Sequence, residues 1–171
     1  MDKRQNALPV REMVLFGVLG ALMFALQVAM AFLPNIEPVS LLVMIFAAVF
    51  GWKCLYPVYI FVIMEILFYG LSLWNIYYLY VWAVLAAASL FLRKTESVWG
   101  RAILSAAFGL LFGALCAIGD VFIGGFGYAA AKWVSGIPFD VTHCVGNFVI
   151  AALLFRPLRN WTEKLYRAMK R

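Results

Sequence analysis

Residues 13–33 read MVLFGVLGALMFALQVAMAFL, a run with no charged side chain and only Gln27 strongly polar. An α-helix rises about 1.5 Å per residue, so this run crosses the roughly 30 Å hydrocarbon core of a bilayer. Five further apolar segments follow: Val39–Phe50, Cys54–Leu73, Ile76–Leu92, Ala102–Ala131 and Pro138–Phe155. The second is short and the fifth long. Pro34, Pro38, Gly51, Gly100, Gly136 and Pro138 stand at or near the breaks, where residues that end helices are expected. The pattern predicts an all-α integral membrane protein, a bundle of six transmembrane helices in one domain over residues 1–171. Its connections are short, so sequential helices should pack as antiparallel neighbours.

Composition supports lipid as the main solvent. Of 171 residues, 66% are hydrophobic and 13% charged, where soluble domains carry about 25% charged residues. Mean hydropathy is +0.95. Too few polar residues remain to cover a soluble surface, which excludes a soluble globular enzyme, and the hydrophobicity excludes a disordered chain. Cys54, Cys116 and Cys144 lie far apart inside apolar segments, and the chain has one histidine. That set implies neither a Cys/His metal site nor a disulfide framework, and no metal or cofactor is expected.

The cations orient the bundle. With the N-terminus in the cytoplasm, inner segments hold Lys3, Arg4, Arg11, Lys53, Arg93, Lys94, Arg101, Arg156, Arg159, Lys164, Arg167, Lys170 and Arg171, and outer segments hold only Lys132. Such asymmetry follows the positive-inside rule and an even number of spans, with both termini cytoplasmic. The basic tail then lies beside anionic lipid, and net charge +6 needs no nucleic-acid partner. The basic start, the apolar run and Ala29-Met30-Ala31 imitate a signal peptide. Cleavage would leave five spans and upset the charge pattern, so retention is expected. The Asn160-Trp161-Thr162 sequon falls on the cytoplasmic side, where glycosylation is not expected.

Two helices carry small-residue faces. Gly17, Ala21, Ala25 and Ala29 recur every four positions in the first, forming a smooth ridge for close helix approach, within the bundle or from a separate subunit. In the fifth, Gly109, Gly113, Cys116, Asp120, Gly124 and Gly127 fall within about 40° of Asp120 at 100° per residue. Asp120 lies roughly 27 Å along from Ala102, near the outer surface, and the glycines should open space beside it.

Polar groups gather toward that outer end. Gly136 and Pro138 suggest a helix starting near Pro138, with Asp140 in its first turn where the dipole favours a carboxylate. Asp140, His143 and Asn147 span only about 60° of the helix wheel. Three polar groups on one membrane-helix face need interhelical partners or a water-filled cavity. Glu37 sits on the first outer loop and Trp74 and Asn75 on the second; Trp133 is on the third. Asn75, Tyr78 and Trp82 share a face at i, i+3, i+7, and Tyr77 and Tyr80 add rings nearby. An interfacial aromatic belt accounts for such rings, and so does the wall of a small-molecule pocket. Glu65 lies near mid-membrane with Tyr69 and Ser72 on its face. It reads as a functional carboxylate or as a packing residue.

These residues, in this order, make the chain resemble the substrate-specific S component of energy-coupling factor vitamin transporters. The resemblance covers nearly all of the chain. It rests on Ala21, Ala25 and Ala29, on residues 33–40 (LPNIEPVS), and most specifically on residues 135–148 (SGIPFDVTHCVGNF) followed by 153–158 (LLFRPL). Residues 109–116 (GLLFGALC) add loose support. The resemblance implies a prokaryotic, multi-pass plasma-membrane subunit without catalytic chemistry. It would bind a vitamin or related micronutrient at its outer side and associate with a transmembrane T component and two cytoplasmic ATPases. Glu37, Trp74, Asn75, Tyr78, Asp120, Asp140, His143 and Asn147 would then lie in or near the substrate pocket, and Gly17, Ala21, Ala25 and Ala29 would face the T component. The family does not fix the substrate; a cobalamin-like compound, a queuosine precursor or another vitamin is compatible.

The chain has no Walker A motif and no Gly-rich phosphate loop, so ATP-driven transport would need other subunits. An independent proton-coupled transporter using Glu65, Asp120 or Asp140 is the alternative. An intramembrane enzyme built on His143 and Asp140 lacks a nucleophile, because Cys144 points about 100° away from His143.

Overall fold

The computed structural model describes residues 8–95 and 97–170. Lys3, Arg4 and Arg171, three of the cations counted above, lie outside them. The described residues form α1 (Val10–Ala29), α2 (Val39–Phe50), a 3-10 turn (Gly51–Cys54), α3 (Leu55–Tyr69), α4 (Leu73–Phe91) and α5 (Val98–Lys170), with no strand among them. Four helical stretches are long and apolar enough to cross a membrane: Val10–Ala29, Val39–Tyr69, Leu73–Phe91 and Val98–Lys170.

α2 is the axis of the fold. It is apolar all round, and ten of its twelve residues are buried, the signature of a helix with neighbours on every side. Its Val43, Met44, Ile45 and Phe46 have almost no exposed surface. α4 lies beside it in the same sense: the Ser89 hydroxyl donates to the Met44 carbonyl and the Arg93 guanidinium to the Ala48 carbonyl. α1 and α3 also run parallel, since Phe16 meets Tyr56 and Phe24 meets Phe68. Gly20 makes this approach possible, because a Cβ there would fall 2.8 Å from the Pro57 carbonyl oxygen.

The expected break at Gly136 and Pro138 is not where the chain turns. Both lie inside α5, and the non-helical residue is Gly125, at φ 78° and ψ 177°. That conformation is essentially restricted to glycine. The arms on either side, 98–124 and 126–170, run antiparallel. Asp120 meets Lys132, Gly113 meets Asp140, Asn147 reaches Ser105, and Arg101 lies over Phe155. Asp140 is therefore far from any helix start, and the expected first-turn dipole effect does not apply. Pro138 is tolerated mid-helix, as in membrane helices whose freed backbone groups find other partners. The first helix also ends at Ala29 rather than Leu33, leaving residues 30–38 as a connecting loop.

One end of the molecule is basic and cross-braced. The buried Glu12 carboxylate accepts from Lys53 and from the Tyr166 hydroxyl, both at 2.6 Å, tying α1 to the 3-10 turn and to the C-terminal part of α5. Arg101, also buried, donates to the Ser89 and Leu92 carbonyls at the end of α4, where a helix runs out of backbone donors. The opposite end holds the loop after α1 and the Gly125 turn, and it is hollow.

Candidate functional site

The hollow end encloses a cavity of about 770 Å³, within the usual range for small-molecule sites. Its walls come from the loop after α1, the last turns of α3, the first turns of α4 and both arms of α5. Seven of the eight residues expected at a substrate site line it: Glu37, Trp74, Asn75, Tyr78, Asp120, Asp140 and His143. Asn147 does not. It is buried one turn below His143, and its amide donates to the Ser105 carbonyl at 3.4 Å, so it joins the two arms of α5.

Each lining group has a local reason for its position. The Glu37 carboxylate stands just before α2 and accepts from the Ser40 N–H at 2.8 Å, satisfying one of the donors a helix start leaves free. Its Oε1 also lies 3.1 Å from His143 Nε2. Asn75 is held by the start of α4, where its Oδ1 accepts from the Ser72 N–H at 2.7 Å. Trp74, half exposed, meets the Tyr77 ring edge-on at the rim. The face shared by Asn75, Tyr78 and Trp82 and the face shared by Glu65, Tyr69 and Ser72 both become cavity wall.

Asp120 is committed within the protein. Its Oδ1 accepts from Lys132 at 2.7 Å and from the Tyr77 hydroxyl. Asp140 Oδ1 accepts from the Gly113 N–H at 3.0 Å, and its Oδ2 is buried with no hydrogen-bond partner among the described residues. Gly113 lines the cavity with Asp120 and Asp140, and on their other side Gly109 and Gly113 of this face are close-packed. A Cβ at Gly113 would meet Asp140 Oδ2 at 2.5 Å, and one at Gly109 would meet the His143 carbonyl carbon at 2.8 Å. They let the arms of α5 close on each other. Gly127 lies beyond the turn at Gly125 and is not on that face.

The substrate residues implied by the resemblance omit Tyr77, Lys132 and Glu65, and all three line the cavity. The signals were present: Lys132 is the lone cation of the outer segments, and Glu65 is an isolated carboxylate in an apolar helix. Among the described residues, no three His, Cys, Asp or Glu side chains gather to hold a metal ion.

The α1 ridge faces the other way. A Cβ at Gly17 would meet nothing within 4 Å, and Ala25 and Ala29 are exposed. Gly20, a quarter-turn off this ridge, supplies the close contact with α3. No family model, no curated protein and no solved structure matches this chain.

Proposed function

We propose that the chain is the substrate-binding S component of an energy-coupling factor transporter in a prokaryotic plasma membrane. The observation that carries this reading is the 770 Å³ cavity at one end of the helices, lined by seven of the polar and aromatic residues that the resemblance assigns to the pocket. On this reading the chain crosses the membrane six times. α2 and α3 count separately because the Gly51–Cys54 turn reverses the chain, and the two arms of α5 count separately because of Gly125. Both termini and the braced basic end are then cytoplasmic by the positive-inside rule, and the cavity opens outward. It captures a vitamin or related micronutrient without chemical conversion.

The outward-facing ridge of Gly17, Ala21, Ala25 and Ala29 supports a second part of the proposal. Small residues on a lipid-exposed face let another membrane helix approach closely, and a transmembrane T component carrying two cytoplasmic ATPases is the occupant this reading supplies. The test is uptake by reconstituted membranes. Transport that requires the T component and ATP hydrolysis is the expected result. Ligand movement by this chain alone, driven by a proton gradient, would establish the independent transporter instead.

A further inference from the structure

The cavity contains four carboxylates, and their partners are unequal. Asp120 is matched by Lys132 and Tyr77. Glu37 is matched by the α2 backbone and His143. Asp140 has one oxygen engaged by the Gly113 N–H, and the other is buried against Gly113 without a partner among the described residues. Glu65 is 8% exposed; among the described residues its Oε1 is buried without a hydrogen-bond partner and no ion pair reaches the carboxylate. Lys132 and His143 are the basic side chains on the cavity wall, and both are already directed at other carboxylates.

A buried carboxylate without a donor is costly, and proteins keep such groups where something else completes them. Gln27, on the same wall, adds another buried acceptor without a partner among the described residues. Rings line the space between, with Tyr78 against Trp82 at 5.2 Å and Trp82 against Phe112 at 6.0 Å between centroids. Flat aromatic faces favour planar ligands, and their negative face favours cations.

We infer that the ligand is a planar heteroaromatic compound bearing a protonated amine or amidine-like group, whose N–H donor is taken by Glu65. This inference rests on the capture reading above and narrows its substrate class. An anionic vitamin would meet the unmatched Glu65 carboxylate and is disfavoured at this site.

Mass spectrometry of ligand released from protein purified in its native host provides the first test, and a cationic, N–H-bearing heteroaromatic is the expected species. An anion, or a neutral compound without such a group, would overturn the inference and leave the capture function standing. The second test is thermal melting in detergent with thiamine and pyridoxamine as cationic probes, riboflavin as the neutral probe, and biotin and nicotinate as anions. Stabilisation confined to the cationic probes supports the assignment, and stabilisation confined to the anions overturns it. If no ligand co-purifies and no probe shifts the melt, the capture reading itself falls and the inference with it.

Glu65→Gln separates a binding role from a structural one. It keeps the shape and removes the charge, so the ligand-free variant is expected to melt no lower than the parent, while affinity for the co-purified ligand falls tenfold or more. Unchanged affinity would remove Glu65 from the ligand site.

Discussion

Nε2 of His143 lies 3.1 Å from Oε1 of Glu37, joining the second arm of α5 to the start of α2. The same carboxylate accepts from the Ser40 N–H, so one side chain caps the central helix and fixes a cavity wall. Removing Glu37 therefore breaks two interactions at once. Glu37→Ala is expected to cost about 1 kcal/mol for the lost cap, plus the penalty of leaving His143 buried without its partner. In a double-mutant cycle, Glu37→Ala and His143→Ala should be less than additive by about 0.5–3 kcal/mol, as for residues in direct contact. Thermal melting of the four proteins in detergent measures this, and strict additivity would mean the contact carries no energy.

The glycines of the helix interfaces differ in what opposes them. At Gly109 an added Cβ meets His143 and Cys144 backbone atoms at 2.8–2.9 Å, and backbone cannot move aside cheaply. Gly109→Ala should destabilise by about 1–3 kcal/mol, the usual cost of overpacking. At Gly17 nothing lies within 4 Å, so Gly17→Ala should be neutral or stabilising by up to about 1 kcal/mol through helix propensity. Melting temperatures of the two variants should move in opposite directions or differ clearly in size. Equal losses would contradict the outward orientation of the α1 ridge.

That ridge gives a functional prediction. Ala25 is exposed and lies outside the cavity. On the proposed S-component reading, Ala25→Trp should leave the melting temperature and ligand affinity near those of the parent while reducing co-purification of a T component and its ATPases. A complex recovered in the same yield would remove the ridge as the docking face. A ligand affinity that fell in parallel would show instead that the substitution disturbs the fold.

Much of this was legible in the sequence wherever the signal was local. α2 was bounded at Val39 and Phe50 because Pro38 and Gly51 bracket an unbroken apolar run. The cavity residues stood out because polar side chains are expensive in apolar helices. The unread part depends on pairing across the Gly125 turn. Nothing in the spacing of Asp120 and Lys132, twelve residues apart, says that they meet, because on a continuous helix they would be about 18 Å apart. Asn147 shared the face of Asp140 and His143 on the wheel, but depth along the helix, which a wheel does not represent, put it below the cavity floor. Gly124 and Gly127 were read as one face, although the turn at Gly125 separates them.

The position of that turn can be tested directly. Gly125 at φ 78° and ψ 177° occupies a region that residues with a Cβ avoid at a cost of about 1–3 kcal/mol. Nothing crowds a Cβ there within 4 Å, so any loss on substitution reports backbone strain alone. Gly125→Ala should lower the melting temperature and loosen the fold-back that brings Lys132 to Asp120. Gly136 also has open space at its Cβ, and it sits in regular helix. Gly136→Ala should therefore be neutral or slightly stabilising, since alanine is the better helix former. Had the chain turned at Gly136 and Pro138, the order of the two effects would be reversed. Melting curves of both variants in one detergent decide between these positions, and a cysteine pair at residues 120 and 132 that cross-links in the parent but not in the Gly125→Ala background would tie the stability loss to the arm geometry.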